Sequence, residues 1–541
     1  MPYHDDTTIA TPHEAAMPPS HEPFDWLLCN GRVYDGTGNP WFAGDVGLRG
    51  DRIAAVGRLG DAQAKHRLDL AGLAVSPGFI DTHVHGDLPL LLDPAHEPAI
   101  RQGVTTYVVG QDGVAMAPCD DAILRYMCRY TAGFSAGATW LERDDRPRWS
   151  SIAEYLAVLD GASAVNAAVL IPNGNLRLAV MGLDTRPPTP DELRRMQRMV
   201  EQGMDEGAVG LSTGLDYIPS RYATTDELVE LCKPMARYGG VYVTHMRGYT
   251  PDNVLWAMDE VFRITREAGV GGHISHFNSR ADIVLPALER ADLDVTFDLY
   301  CYLAGSTILG MIALPPEAQA GGLDATLVRL ADPATRQALE PAFASPRFPL
   351  ATIRLGYVAA AEYRHFEGKT LAEAAGSDDP QVMGDLVVTL LRASELAVGC
   401  VVPHKARGEE DVRDLMRSPA MMGGSDGIFT GRYPHPRGHG CYARFLGHHV
   451  REAKTWPLET AVMRLTSHAA RRYGLSDRGL LRGGMAADVV VFDPATIADR
   501  STYADGRQLA VGVQHVWVNG EPVLLSGERT PARPGRGLRR G

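Results

Sequence analysis

Eight short apolar runs, most closing on small or polar residues, constrain the fold of this chain more than any other feature. They are AVSPGFIDTHVH, GVTTYVVGQDG, AVNAAVLIPNG, GAVGLSTGL, GGVYVTHMR, GGHISHF, DVTFDLY and, much later, MMGGSDG. Between them lie amphipathic stretches such as TPDELRRMQRMVEQGMDEG and DNVLWAMDEVFRITREAG. The first opens on Thr189 and Pro190, and both stop at glycine, as helices do. Strands alternating with helices build parallel βα units. About eight such units indicate an α/β chain folded as a (β/α)8 TIM barrel, whose chemistry sits at the C-terminal ends of the strands. A doubly wound sheet is the alternative, but it would not end so many different strands in polar side chains.

The flanks read differently. WLLCNGRVYDGTGNPWFAGDVGLRGDRIAAVG consists of short strands broken by turns, and ADVVVFDP followed by VQHVWVNGEPVL repeats that texture near the other end, with a hairpin at Asn519-Gly520. Both ends therefore build one small β-sandwich domain, from residues 25–76 and 479–525, around a barrel spanning 77–478. The pattern loosens between Leu303 and Met422, where Pro and Gly cluster, which predicts a lid-like insertion over about 303–421. Residues 1–24 read as a flexible leader. Residues 526–541, rich in Arg, Pro and Gly, read as a disordered basic tail.

A formal net charge of -13, with no Lys/Arg-rich run before the last residues, argues against nucleic acid or an anionic membrane as partner. Seven cysteines scattered over 541 residues make no disulfide framework. No signal-like leader and no apolar run of membrane length is present. The expectation is a cytoplasmic protein acting on a small molecule, compatible with a homo-oligomer.

Ligand-type side chains mark the strand ends. His83 and His85 are two apart on one strand, so both imidazoles face the same side. Asp112, His245, His276 and Asp426 each follow a β-rich run. Unrelated buried histidines would each need separate hydrogen-bond partners, whereas one metal site accounts for all six residues together. Four histidines and two aspartates exceed one tetrahedral shell. Either two divalent ions bind, with Asp112 as bridge, or some of the six stand behind the ligands. Zinc is the expected ion, with Mn2+ or Co2+ as alternatives. His273 should point away from the site, and His435 and His439 lie in a loop that can line it.

With these motifs in place, the chain resembles the amidohydrolase superfamily, and within it the N-acyl-D-amino-acid deacylase (D-aminoacylase) family. The resemblance runs from about Asp25 to Leu525 on GFIDTHVHGD, GVTTYVVGQDG, GLSTGLDY, HISHF, DVTFDLYCYLAGST, GGSDG with PHPR, and GGMAADVVVFDP. It implies a metal-dependent hydrolase of linear amides. His83, His85, His245 and His276 become metal ligands, and Asp426 becomes both ligand and general base and acid. Arg437 becomes the clamp on the substrate carboxylate, with Tyr217 and Tyr300 beside it. The chain departs from the family pattern where Arg247-Gly248-Tyr249 stands in place of an acidic residue soon after HMR, and at three single positions. Asp112, in QDG, stands where the family carries a metal-binding Cys; Asn278 replaces a lysine; Asn173 replaces a histidine. Asn278 and Asn173 are therefore expected to shape substrate choice. Cyclic amide hydrolysis is the alternative activity, disfavoured because GLSTGLDY offers no lysine for carboxylation. A non-catalytic scaffold is the second alternative, disfavoured because all six metal-competent side chains remain.

Overall fold

A computed structural model describes residues 22–404 and 407–541. The expected flexible leader falls, up to residue 21, outside the described residues, and Phe24 already opens a strand.

Eight parallel strands form the central sheet: β1 (Phe79–Asp81), β2 (Val104–Val109), β3 (Asn166–Pro172), β4 (Gly210–Gly214), β5 (Val241–His245), β6 (Gly271–Ile274), β7 (Val295–Leu299) and β8 (Met421–Gly423). They pair in sequence order, and the first and last strands close the ring. Thr82 N donates to Gly423 O at 3.2 Å, and Val84 bridges Gly427 in parallel. Ile80, Val108, Leu170, Val241, Val243 and Met422 share one core cluster although they come from opposite sides of the ring, so they fill the barrel interior. Side chains alternate along a strand. The interior positions Val108, Val243 and Met422 therefore share their parity with Asp112, His245 and Asp426 beyond them. The buried hydrocarbon sets the direction in which the polar side chains emerge.

The chain ends join in one nine-stranded sheet. Its first strand, Phe24–Val33, forks. Leu28 pairs in parallel with Leu68, while Val33 pairs with Val75 of Ala74–Pro77, which runs antiparallel to Val489–Phe492 from the far end. Leu28, Val46, Val75, Val491 and Trp517 bury one core common to both ends. Between β7 and β8 the chain leaves the barrel to form a three-stranded antiparallel sheet. Its central strand, Val398–Pro403, lies between Ala304–Ile308 and Arg354–Val358 and has its own apolar cluster.

The expected disordered tail is ordered instead. Gly537 and Leu538 pair in parallel with Ala167 and Ala168 of β3, and Leu538 is buried. Arg536 meets Asp51 at 2.7 Å, and Arg540 Nε donates to the Tyr238 carbonyl at 2.8 Å. The glycines that suggested flexibility serve close backbone approach. A Cβ on Gly535 would lie 2.1 Å from Val165 O, and one on Gly537 2.3 Å from Leu156 O. No helix among the described residues is long and apolar enough to cross a membrane.

Candidate metal centre

Asp112 stands at the centre of the barrel mouth. Its carboxylate oxygens lie 3.6 Å from His83 Nε2, 3.7 Å from His85 Nε2, 3.7 Å from His276 Nε2 and 4.0 Å from His245 Nδ1. Asp426 Oδ1 sits 3.3 Å from His85 Nε2 and 3.8 Å from His83 Nε2. The donor atoms fall into three overlapping groups, each mutually within 4.8 Å: His83, His85 and Asp112; His83, His276 and Asp426; Asp112, His245 and His276. The six positions singled out in the sequence thus converge.

Local backbone makes this convergence possible. Asp112, His276 and Asp426 take left-handed conformations, with φ of 57°, 35° and 50°. Residues with a Cβ adopt that region only at a cost, and such strain concentrates at working sites. At His276 the reason is visible. His273 shares its side of the sheet with Val243 and Thr296, so the chain must turn sharply beyond β6 to bring His276 back inward. Tight loop-to-loop bonds hold the arrangement: Asp426 N donates to His83 O at 2.7 Å, and Ser425 N to Asp81 Oδ1 at 2.8 Å.

Polar atoms this deeply buried normally have partners. Here His83 Nε2, His83 Nδ1, Asp112 Oδ1 and His245 Nε2 are buried without any hydrogen bond. Burial disfavours a charged His83 ring, but Asp298, Asp112 and Asp426 outweigh it and raise its pKa to about 9. Burial would likewise push the Asp426 carboxyl up, yet Arg437, His85, His276 and His83 hold it well below the usual carboxylate range. The cage is a set of acceptors in a field that favours positive charge. Imidazole nitrogens and carboxylate oxygens at these spacings suit a divalent ion such as zinc.

Two residues that sequence reasoning passed over stand behind the cage. Asp298, at the end of β7, contacts His83 Nδ1 at 3.4 Å, accepts a hydrogen bond from His276 N at 2.8 Å, and accepts another from His273 Nε2 at 3.0 Å. It lies two residues before Tyr300 in DVTFDLY, so strand alternation was the available signal. Asp216 contacts His245 Nε2 at 3.5 Å and adjoins Tyr217 in GLDY. Both orient imidazoles from the outside, as carboxylates behind metal ligands do.

The cavity above the cage is lined by Asp112, His276, Asp426 and Arg437, by Tyr217, Tyr300 and Asn278, and by insertion residues from Gly305 to Arg407. Arg437 Nη1 lies 2.8 Å from Asp426 Oδ2, and its guanidinium stacks 4.5 Å from the Tyr300 ring centroid. Asn278 Nδ2 donates to the Tyr300 hydroxyl at 2.7 Å, and the Tyr217 hydroxyl meets Thr307 of the insertion at 2.8 Å. Asn173 is not among the lining residues. It starts the helix after β3, where its side-chain oxygen accepts a bond from Ser220 beneath the Asp112 loop. His435 is also absent from the lining: its Nε2 donates to Ala304 O and its Nδ1 accepts from Arg437 N, which fixes the start of the helix Arg437–Arg444. His439 packs against Phe429, outside the lining.

Comparison with known proteins is consistent with this geometry. A model described as "Amidohydrolase family" matches residues 67–524. D-aminoacylase of Alcaligenes xylosoxydans xylosoxydans is 37% identical, covering 96% of this chain and 98% of that protein. A crystal structure of D-aminoacylase superposes with a TM-score of 0.80 at 36% identity, covering 96% of this chain and all of the other. N-acyl-D-glutamate deacylase from Bordetella bronchiseptica, solved with zinc and a phosphonate mimic of the tetrahedral intermediate, gives 0.79 at 32% identity, with 96% of this chain and 100% of that one covered.

Proposed function

The chain belongs to the amidohydrolase family, and from that premise we propose that it hydrolyses the linear amide bond of N-acyl-D-amino acids, giving a carboxylate and the free amino acid. The observation that carries this reading is the cage of four histidines and two aspartates with orphaned, buried donor atoms. His83, His85, Asp112, His245, His276 and Asp426 would hold one or two zinc ions. When bound, zinc supplies Lewis acidity that polarises a carbonyl and acidifies water near neutral pH.

The residues of the chain do the rest. Asp426, kept ionised by Arg437, takes the proton of the attacking water and returns it to the leaving nitrogen as the C–N bond breaks. Asp298 and Asp216 keep the His83 and His245 rings in place, so the donor set needs little rearrangement. Arg437 and Tyr300, packed on each other, face the side of the cavity where a substrate carboxylate would sit.

The test is a kinetic panel of N-acetyl-D- and N-acetyl-L-amino acids run on zinc-loaded protein, with metal content measured in parallel. D-selective release of acetate, lost on chelation and restored by zinc, is the expected result. Turnover that survives complete chelation, or hydrolysis of hydantoins in place of linear amides, would overturn the proposal.

A further inference from the structure

Four charged groups other than the metal-cage carboxylate Asp112 line the cavity in apparent balance: Arg437 with Asp426, and Arg347 with Asp216 at 2.9 Å. A fifth breaks it. Arg407, on the return from the insertion to the barrel, is 5% exposed and lines the same cavity. Its Nη2 donates to the Tyr302 carbonyl at 2.7 Å, while Nε and Nη1 are buried with no partner. Asp411, the one carboxylate prominent in its field, is occupied by the backbone N–H groups of Gly408 and Ala281. A guanidinium stays charged at any ordinary pH, and leaving one buried and uncompensated is costly. Its carbon lies 5.6 Å from the centroid of the Tyr300 ring that Arg437 also covers. The Tyr300 hydroxyl is bonded to Asn278 and His404, so the ring cannot swing away from either arginine without breaking those bonds.

Much of this wall is apolar, with Met311, Ile312, Phe348, Pro349 and Val402, and Ser306, Thr307 and His404 add polar but uncharged groups. Among the described residues its other cation, Arg347, is held by Asp216. We propose that Arg407 anchors the substrate carboxylate together with Arg437, and that the preferred substrate is a monoanionic N-acyl amino acid whose remaining substituents are uncharged. The proposal rests on the amide-hydrolase reading and sharpens it. A planar fork with two vacant donors matches a carboxylate; Arg437 also has Nε and Nη1 without a hydrogen bond, but it already divides its charge with Asp426. An N-acyl glutamate or aspartate would bring a second carboxylate to a wall whose other described cation, Arg347, is already paired with Asp216.

The experiment measures kcat and KM for N-acetyl-D-methionine, its primary carboxamide and N-acetyl-D-glutamate, on the zinc-loaded wild type and on Arg407→Met and Arg407→Lys. Losing charge-assisted bonds to a carboxylate should raise KM for N-acetyl-D-methionine roughly ten- to hundredfold in Arg407→Met. Arg407→Lys should recover part of that loss, and the carboxamide should respond little to either change. A merely structural role would move both substrates equally, and that outcome overturns the anchor. Unchanged KM in Arg407→Met does the same, as does a wild type that prefers N-acetyl-D-glutamate. If the wild type hydrolyses none of these compounds, the amide-hydrolase reading fails separately. Calorimetric binding of N-acetyl-D-methionine to wild type and to both variants then decides the anchor: a loss in Arg407→Met, recovered in part by Arg407→Lys, supports it, and equal affinities overturn it. Should Arg407→Met fold poorly, Arg407→Gln keeps the planar polar end and gives the same readout.

Discussion

Two buried polar clusters in this molecule each centre on aspartate and end in opposite states. One joins the barrel to the flanking sheet. Asp488 pairs with Arg478 and accepts from Asn166 Nδ2 at 3.1 Å and Asn519 N at 2.7 Å; Arg478 Nη2 donates to Asn519 Oδ1 at 3.0 Å, and Asn519 Nδ2 to Asn166 Oδ1 at 2.7 Å. Its carboxylate, guanidinium and amide groups answer one another. The other cluster is the cage, where His83, His245 and Asp112 keep donor or acceptor atoms with no hydrogen bond. Burial is equally deep in both, so burial alone does not separate structure from function. The separation lies in satisfaction: a closed network specifies how two parts of the chain dock, while an open one waits for a ligand.

Substitution of one aspartate in each cluster tests this contrast most directly. Asp426→Asn should lower kcat per folded molecule by about 10²–10⁴-fold, the usual worth of a positioned general base and acid. Steady-state kinetics beside a thermal melt would check it, and retained turnover would erase the distinction between the clusters. Asp488→Ala should do the reverse. It leaves the Arg478 guanidinium buried without its partner, a loss of about 3–5 kcal/mol in unfolding free energy. Urea titration reads that loss, and kcat per folded molecule should stay unchanged. A matching fall in kcat would mean that the docking network reaches the chemistry.

The same contrast explains what could be read from the sequence. The barrel strands and the cage were legible because each ligand-type residue directly follows a local apolar run, so one pattern reports both the strand and its mouth. His83 with His85, Asp112 and Asp426 needed no knowledge of distant contacts. The insertion was visible only as a loss of pattern. Its central strand, Val398–Pro403, pairs with Ala304–Ile308 across almost the whole excursion, and pairing at that distance leaves no short-range period. The ordered C-terminus was misread because Gly535 and Gly537 look like flexible linker, although their value here is the missing Cβ. Asn173 was read by its place in a motif and turned out to be a buried support for the Asp112 loop. Arg407, in a charged loop between strand and helix, gave no local sign of being buried.

The smallest expected effect concerns a histidine between the two cases, with one ring nitrogen hydrogen-bonded and the other, Nδ1, buried without a partner. His96 is buried against Phe429, and its Nε2 shares a 2.9 Å hydrogen bond with the Tyr107 hydroxyl; the Asp93 carboxylate is 3.9 Å from Nδ1 and largely exposed. Burial lowers its pKa from 6.5 to about 3. Between those two values the unfolded chain takes up a proton that the folded chain refuses, so stability is lost as pH falls through that window. At pH 5 this one group costs about 2 kcal/mol. His439, lowered to about 3, and His468, lowered to about 4, add losses of the same sign. His96→Asn keeps a residue tolerant of the left-handed backbone at this position, where φ is 40°, and removes the titrating ring. Losing the Tyr107 bond should cost about 1 kcal/mol at pH 7. The variant should nevertheless lose about 2 kcal/mol less than wild type between pH 7 and pH 5. Urea unfolding of both metal-free proteins at the two pH values isolates the effect, since acid also strips metal from a histidine cage. Equal losses in the two proteins would mean that His96 is not held neutral by burial, and that a histidine with a single hydrogen bond differs less from a cage histidine than their surroundings indicate.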